Sequence, residues 1–162
     1  MRHKARILAV LDLCAHPQPV IAAALERARQ PGAELRFVTL FDHAAAPRTP
    51  GLSSGEQFRM AETTLLHQLE HQVARIGAGK WPCTLLSGHP TEEITALASQ
   101  WHATLIVSDA DTARTLASGW FPWQYRPTPL PCPLQVVQTP NPLDLFARQI
   151  QGAIQAIRAH RA

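Results

Sequence analysis

The chain has 162 residues, 17% of them charged, and a formal net charge of +3, which suits one domain that buries roughly two-thirds of the surface its unfolded form exposes. Basic residues are scattered apart from Arg2 to Arg6 and the C-terminal turn, so the concentrated stripe of a nucleic-acid surface is missing. No apolar run approaches the roughly 20 residues needed to cross a bilayer, and the basic start MRHKARILAVLDL meets Asp12 early and lacks a small-residue cleavage site; the expectation is a cytoplasmic protein with no nucleic-acid and no membrane partner.

Ile7 to Leu11 (ILAVL) is a continuous apolar run, the pattern of a strand buried on both faces of a parallel sheet. Pro17 opens a helix in which Val20, Ala24, Leu25 and Ala28 recur at helical spacing, and Pro31-Gly32 stops it. Glu34 to Phe41 (ELRFVTLF) is a second strand, followed by a loop rich in proline and glycine, HAAAPRTPGLSSG, which is either a flap or a surface excursion. Ser53 with Glu56 is a capping-box signature. Behind it Phe58, Leu65, Leu69, Val73 and Ile76 mark one helical face, ended by Gly77 and Gly79.

Cys83 to Ser87 (CTLLS) is a third strand, and PTEEITALASQW a helix with acidic residues in its first turn, where they complement the helix dipole, and Ile94, Leu97 and Ala98 inward. Ala103 to Val107 (ATLIV) is the fourth strand and Leu134 to Val137 (LQVV) the fifth. Strands alternating with helices imply right-handed crossovers and a parallel sheet covered by helices on both faces. Between the last two strands WFPWQYRPTPLPCP is an irregular connection, because proline neither donates to a ladder nor continues a helix.

Asn141-Pro142 starts a last helix. Leu143, Phe146, Ile150, Ile154 and Ile157 follow at spacings of 3, 4, 4 and 3, a narrow apolar seam. Arg158 and Arg161 complement its C-terminal dipole. The expected division is an α/β domain over residues 1–140 and a C-terminal amphipathic helical extension over residues 141–162. That helix packs on its own domain, crosses to a second subunit or docks on a protein partner.

Asp12 closes the first strand at the carboxyl edge of the sheet, where open α/β folds bind ligands; the alternative is a carboxylate that caps the following turn. Asp109 and Asp111 stand where paired carboxylates serve acid–base or metal chemistry, or where they start the next helix by accepting from its first N–H groups. His67 and His71, four apart, lie opposite the apolar face of their helix, on the solvated side. His16 and His89 fall near the carboxyl edge. Cys14, Cys83 and Cys132 are odd in number with no CxxC spacing, against a disulfide framework or a zinc site. Nucleophile-elbow, dinucleotide and P-loop patterns are absent. Trp120, Phe121, Trp123 and Tyr125, interleaved with prolines, suit an interface, or they fold inward to plug the crevice.

ILAVLD, SGHPTEEITALASQWHATLIV and PCPLQVV, in that order and at that spacing, resemble the universal stress protein family, an adenine-nucleotide α-hydrolase-like branch of the doubly wound folds. The resemblance covers about residues 5 to 138. It implies an open five-stranded parallel sheet of order 3-2-1-4-5 and a homodimer formed through the last strand, residues 134–138. It also implies that Asp12 lies over an adenine and ribose and that Val38 flanks the base.

In ATP-binding members the loop after strand four runs G-x-x-G, nine residues, then G followed by Ser or Thr. Here Ser108 and Asp111 hold the first two glycine positions, the gap to Gly119 is seven residues, and Trp120 follows it. Such glycines turn backbone N–H groups toward a polyphosphate, whereas Asp109 and Asp111 repel one unless a Mg²⁺ ion bridges them. The function expected is that of a stress-response or regulatory module, dimeric, without ATP binding or hydrolysis and without a cofactor, whose contact surface is the aromatic loop and the C-terminal helix, with Phe146, Ile150, Ile154 and Ile157 as its apolar side. The alternative is a binder of AMP, adenosine or Mg-ATP through Asp12, Ser108, Asp109, Asp111 and Gly119, with at most weak ATPase activity.

Overall fold

The computed structural model describes residues 4–41, 49–117, 129–138 and 142–160. Its centre is β1 (Arg6–Leu11), paired in parallel with β2 (Glu34–Phe41) on one side and β4 (Leu105–Asp109) on the other. β3 (Cys83–Ser87) adds to β2 and β5 (Leu134–Val137) to β4, so the sheet runs β3-β2-β1-β4-β5. This is the order that the resemblance implies.

Alternation along β1 builds two cores. Ile7, Ala9 and Leu11 join Leu35 and Phe37 of β2 beneath α1 (Gln18–Arg27) and α2 (Ser54–Arg75). Leu8 and Val10 join Val38 and Ile106 beneath α3 (Pro90–Gln100) and α4 (Ala110–Ala117). Every β1 residue from Ile7 to Leu11 is at most 2% exposed, so neither helical layer can be lost without baring one side of the strand. Register is fixed at the amino edge as well: Arg6 lies opposite Glu34 and pairs with it at 2.9 Å, with Lys4 adding a second contact at 2.6 Å.

Helix starts follow the local chemistry. Ser53 Oγ accepts from the Glu56 amide at 3.3 Å while the Glu56 carboxylate accepts from the Ser53 amide at 2.9 Å, the reciprocal capping box. This hydroxyl and amide hold the Glu56 carboxyl below its ordinary range. The fourth strand begins at Leu105 rather than Ala103 and ends at Asp109 rather than Val107. The Ala103 amide still donates to Ala98 at the end of α3, and Thr104 meets Arg6 through its amide and its hydroxyl, so the regular ladder starts only after it. A fifth helix, α5 (Pro142–His160), follows β5.

His102 leaves α3 with φ of +54°, in the left-handed region, where a non-glycine side chain costs about 1 kcal/mol or more. His102→Gly is therefore expected to raise the unfolding free energy by up to about 1 kcal/mol, read as a higher urea midpoint with an unchanged slope.

Candidate functional site

β1 and β4 are neighbours, and the helices that follow them leave for opposite faces, which opens a crevice at their carboxyl ends. On the β1 side Asp12 Oδ1 accepts from the Cys14 amide at 2.9 Å, and its carbonyl from the Ala15 amide at 3.3 Å, an aspartate-stabilised turn. On the β4 side Asp109, 5% exposed, accepts from the Thr112 amide at 2.6 Å through Oδ1. That bond starts α4 and provides a nearly buried carboxylate with a backbone donor. Ser108 is fully buried and donates from Oγ to the Asp109 carbonyl at 3.0 Å. Asp111 is exposed and pairs with Arg114 one turn on, a solvent-facing contact of small worth.

Between the two turns lies a cleft of about 420 Å³ whose walls include Asp12, Cys14, Thr39, Leu40, Asp111 and Thr115. The structure thus brings Asp12 and Asp111 to one cavity, and among the described residues Val38, Ser108 and Asp109 are not part of its lining. Val38 is fully buried in the core, and Ser108 and Asp109 lie buried at the strand end. Gly119, Trp120, Phe121, Trp123 and Tyr125, with the side chains of Phe146 and Ile157, lie outside the described residues. Ile150 and Ile154 are each 44% exposed on α5.

Sequence reasoning missed Thr39, Leu40, Cys14 and Thr115. Thr39 left a signal: it is the one hydroxyl in the apolar stretch FVTLF, at the carboxyl end of β2, and its Oγ1 donates to the Leu11 carbonyl at 2.9 Å. Among the described residues the cleft lining carries two carboxylates, one of them, Asp111, paired with Arg114, and neither a lysine nor an arginine. A phosphate group arriving there meets charge of its own sign, at about 1 kcal/mol per close contact even in water.

His16 is exposed in the turn after β1, and His89 is the residue before the first turn of α3. His67 and His71 are exposed on α2 and line a separate cleft of about 280 Å³ with Leu13, Gln68 and Gln72. Among the described residues, no group of three or more histidine, cysteine or acidic side chains is placed to hold a metal ion. No described helix is long and apolar enough to cross a membrane.

The three cysteines are free. Burial, with the Glu70 carboxylate adding to it, pushes the Cys83 thiol up to about 11, and burial also raises Cys132. Cys14 is exposed at the cleft.

A model of the universal stress protein family matches residues 4–117, the span from β1 through α4. The chain belongs to the universal stress protein family. Its fold is similar to that of a universal stress protein family member from Burkholderia pseudomallei, at 23% identity over 87% of this chain and 99% of that one, with a TM-score of 0.51. It is also similar to a family protein from Arabidopsis thaliana with AMP bound, at 12% identity over 84% of this chain and 92% of that one, with a TM-score of 0.50. No curated protein matches the chain in sequence.

Three outcomes follow from this geometry. Asp109→Ala removes the cap of α4 and is expected to lower stability by about 1–2 kcal/mol, whereas Asp111→Ala, which removes an exposed pair, leaves the denaturation midpoint unchanged. Iodoacetamide at pH 8 is expected to modify Cys14 well before Cys83 and Cys132, as peptide mapping would read. The folded state holds the Cys83 proton more tightly than the unfolded chain, whose thiol loses it near 9.0. That stabilisation is complete below pH 9.0 and is lost as pH rises toward about 11.

Proposed function

We propose that this universal stress protein is a binding and regulatory module of the stress response that neither binds nor hydrolyses ATP. The observation that carries the proposal is the bond from the Thr112 amide to Asp109 Oδ1 at 2.6 Å. A helix start that binds phosphate offers its free N–H groups to the anion; here the protein's own carboxylate takes one of them. The carboxylates of Asp12 and Asp111 in the cleft wall oppose an anion further. The protein acts as a homodimer through the outer edge of β5, where Val136 is 43% exposed and the strand's backbone pairs with β4 on one side. Free thiols, one of them exposed, fit a reducing cytoplasm.

Calorimetric titration with ATP, with and without Mg²⁺, is expected to give no saturable heat, and a phosphate-release assay no turnover above buffer. Micromolar binding, about −8 kcal/mol, would overturn the proposal.

A second reading is favoured by the cleft itself, which at about 420 Å³ is open among the described residues, and by the AMP bound to the similar Arabidopsis protein. In this reading the ligand is adenosine or AMP, held by Asp12 without a polyphosphate clamp. Adenosine is then expected to slow alkylation of Cys14 in the cleft wall, and Asp12→Ala to abolish that protection while circular dichroism stays unchanged. Equal alkylation rates with and without millimolar adenosine would remove this reading.

A further inference from the structure

Every α5 side chain that the structure describes is exposed, on the apolar side of the helix as well as the polar one, with Ile150 and Ile154 each 44% accessible. A helix of this length with Gly152 in its middle is marginal in water without tertiary packing, so the apolar stripe needs an occupant. The spacing of that stripe says which. Positions 143, 146, 150, 154 and 157 are separated by 3, 4, 4 and 3 residues, a series that reads the same from either end about Ile150.

We infer that α5 is a self-recognition helix that pairs antiparallel with α5 of a second copy, the two-fold axis passing at Ile150. That symmetry sets position 143 against 157, 146 against 154, and 150 against itself, so one stripe satisfies an isologous contact along its whole length. Heterologous partners require no such palindrome. The charges agree: the aspartate at 144 and the arginine at 158 lie on one flank of the stripe. In an antiparallel pair like flanks meet, and the aspartate of each copy comes within a turn of the other's arginine. The helix dipoles oppose one another in the same arrangement, which is favourable. Ala147 and Ala153 border the stripe on its two sides, which permits the short interaxial distances of closely packed helices.

Five apolar positions on each helix remove on the order of 1,000 Å² in total, the lower end for a specific interface. The contact therefore works best beside another. Four residues separate β5 from α5, a reach of at most about 17 Å, so a dimer through the β5 edge carries both α5 helices with it. The inference requires the chain to self-associate and rests on no ligand, so ATP binding, which would overturn the proposed function, does not bear on it.

The test uses the full chain. In a Cys14→Ser background, Ile150→Cys is expected to form an intermolecular disulfide under mild oxidation, as the close approach across the axis allows, while Gln155→Cys on the opposite side of the helix and the background alone do not. In sedimentation equilibrium beside the wild-type chain, Ile150→Asp is expected to weaken dimerisation at least tenfold and Ile150→Leu to preserve it. A dimer that persists in Ile150→Asp, with no disulfide formed by Ile150→Cys, would overturn this inference and leave the β5 contact standing. A wild-type chain that is monomeric, with a melting temperature that falls in Ile150→Asp, would overturn it in favour of packing on the helix's own domain.

Discussion

Burial of β1 on both faces is the constraint from which the rest of the fold descends. A strand whose five consecutive residues are almost wholly removed from water must have helices above and below it and strands on either side. Right-handed crossovers then fix where each helix goes. Because α1 leaves β1 toward one face and α4 leaves β4 toward the other, the chain parts between these neighbouring strands. The crevice is a by-product of that parting, and any residue that follows β1 or β4 is delivered to its mouth. Asp12 and Asp111 reach it for this reason and not because either packs there.

What a crevice of this kind does is decided by which acceptor takes the first amides of α4. In open α/β folds those amides commonly bind an anion, since they are unsatisfied within the helix and the dipole favours negative charge. Here Asp109 occupies one of them from within, and it does so from a nearly buried position that solvent screens poorly. Internal satisfaction and phosphate binding compete for the same donors. In the proposed reading, the loop therefore does more than lack glycines: Asp109 is an acceptor that competes with an anion for the first amides of α4.

The strands and the helix starts were legible because they rest on local chemistry: the unbroken ILAVL run, the Ser53–Glu56 box, prolines at the first turns. The order of the strands in the sheet is set by non-local pairing and was implied only by the family resemblance. The residue pairs across the ladder at the fourth strand were less legible, since Thr104 reads as a strand residue by propensity yet commits its amide and hydroxyl to Arg6 before regular pairing begins. The walls of the cleft were half legible. Asp12 and Asp111 announce themselves by charge at a strand end, but Thr39, Leu40 and Cys14 become neighbours only through the parallel register of β1 with β2. Val38 lies in the core beside its register partner Val10, which lines the cleft, while the next residue of β2, Thr39, faces the cleft directly.

The family match ends at residue 117, and three of the five large hydrophobic residues that stand exposed among the described ones, Val136, Ile150 and Ile154, lie beyond it. Scattered apolar residues on a surface need no explanation, but an edge strand and a following helix that both leave theirs in water form a connected set. The helix in particular carries an apolar order that is palindromic, a property that is harmless in a helix packed on its own domain and has no function there. In a two-fold contact it is required, because each position must meet the counterpart that symmetry assigns to it. With α5 paired as proposed, the α/β scaffold and the C-terminal additions answer different demands: the first holds a crevice, and the second meets a copy of itself.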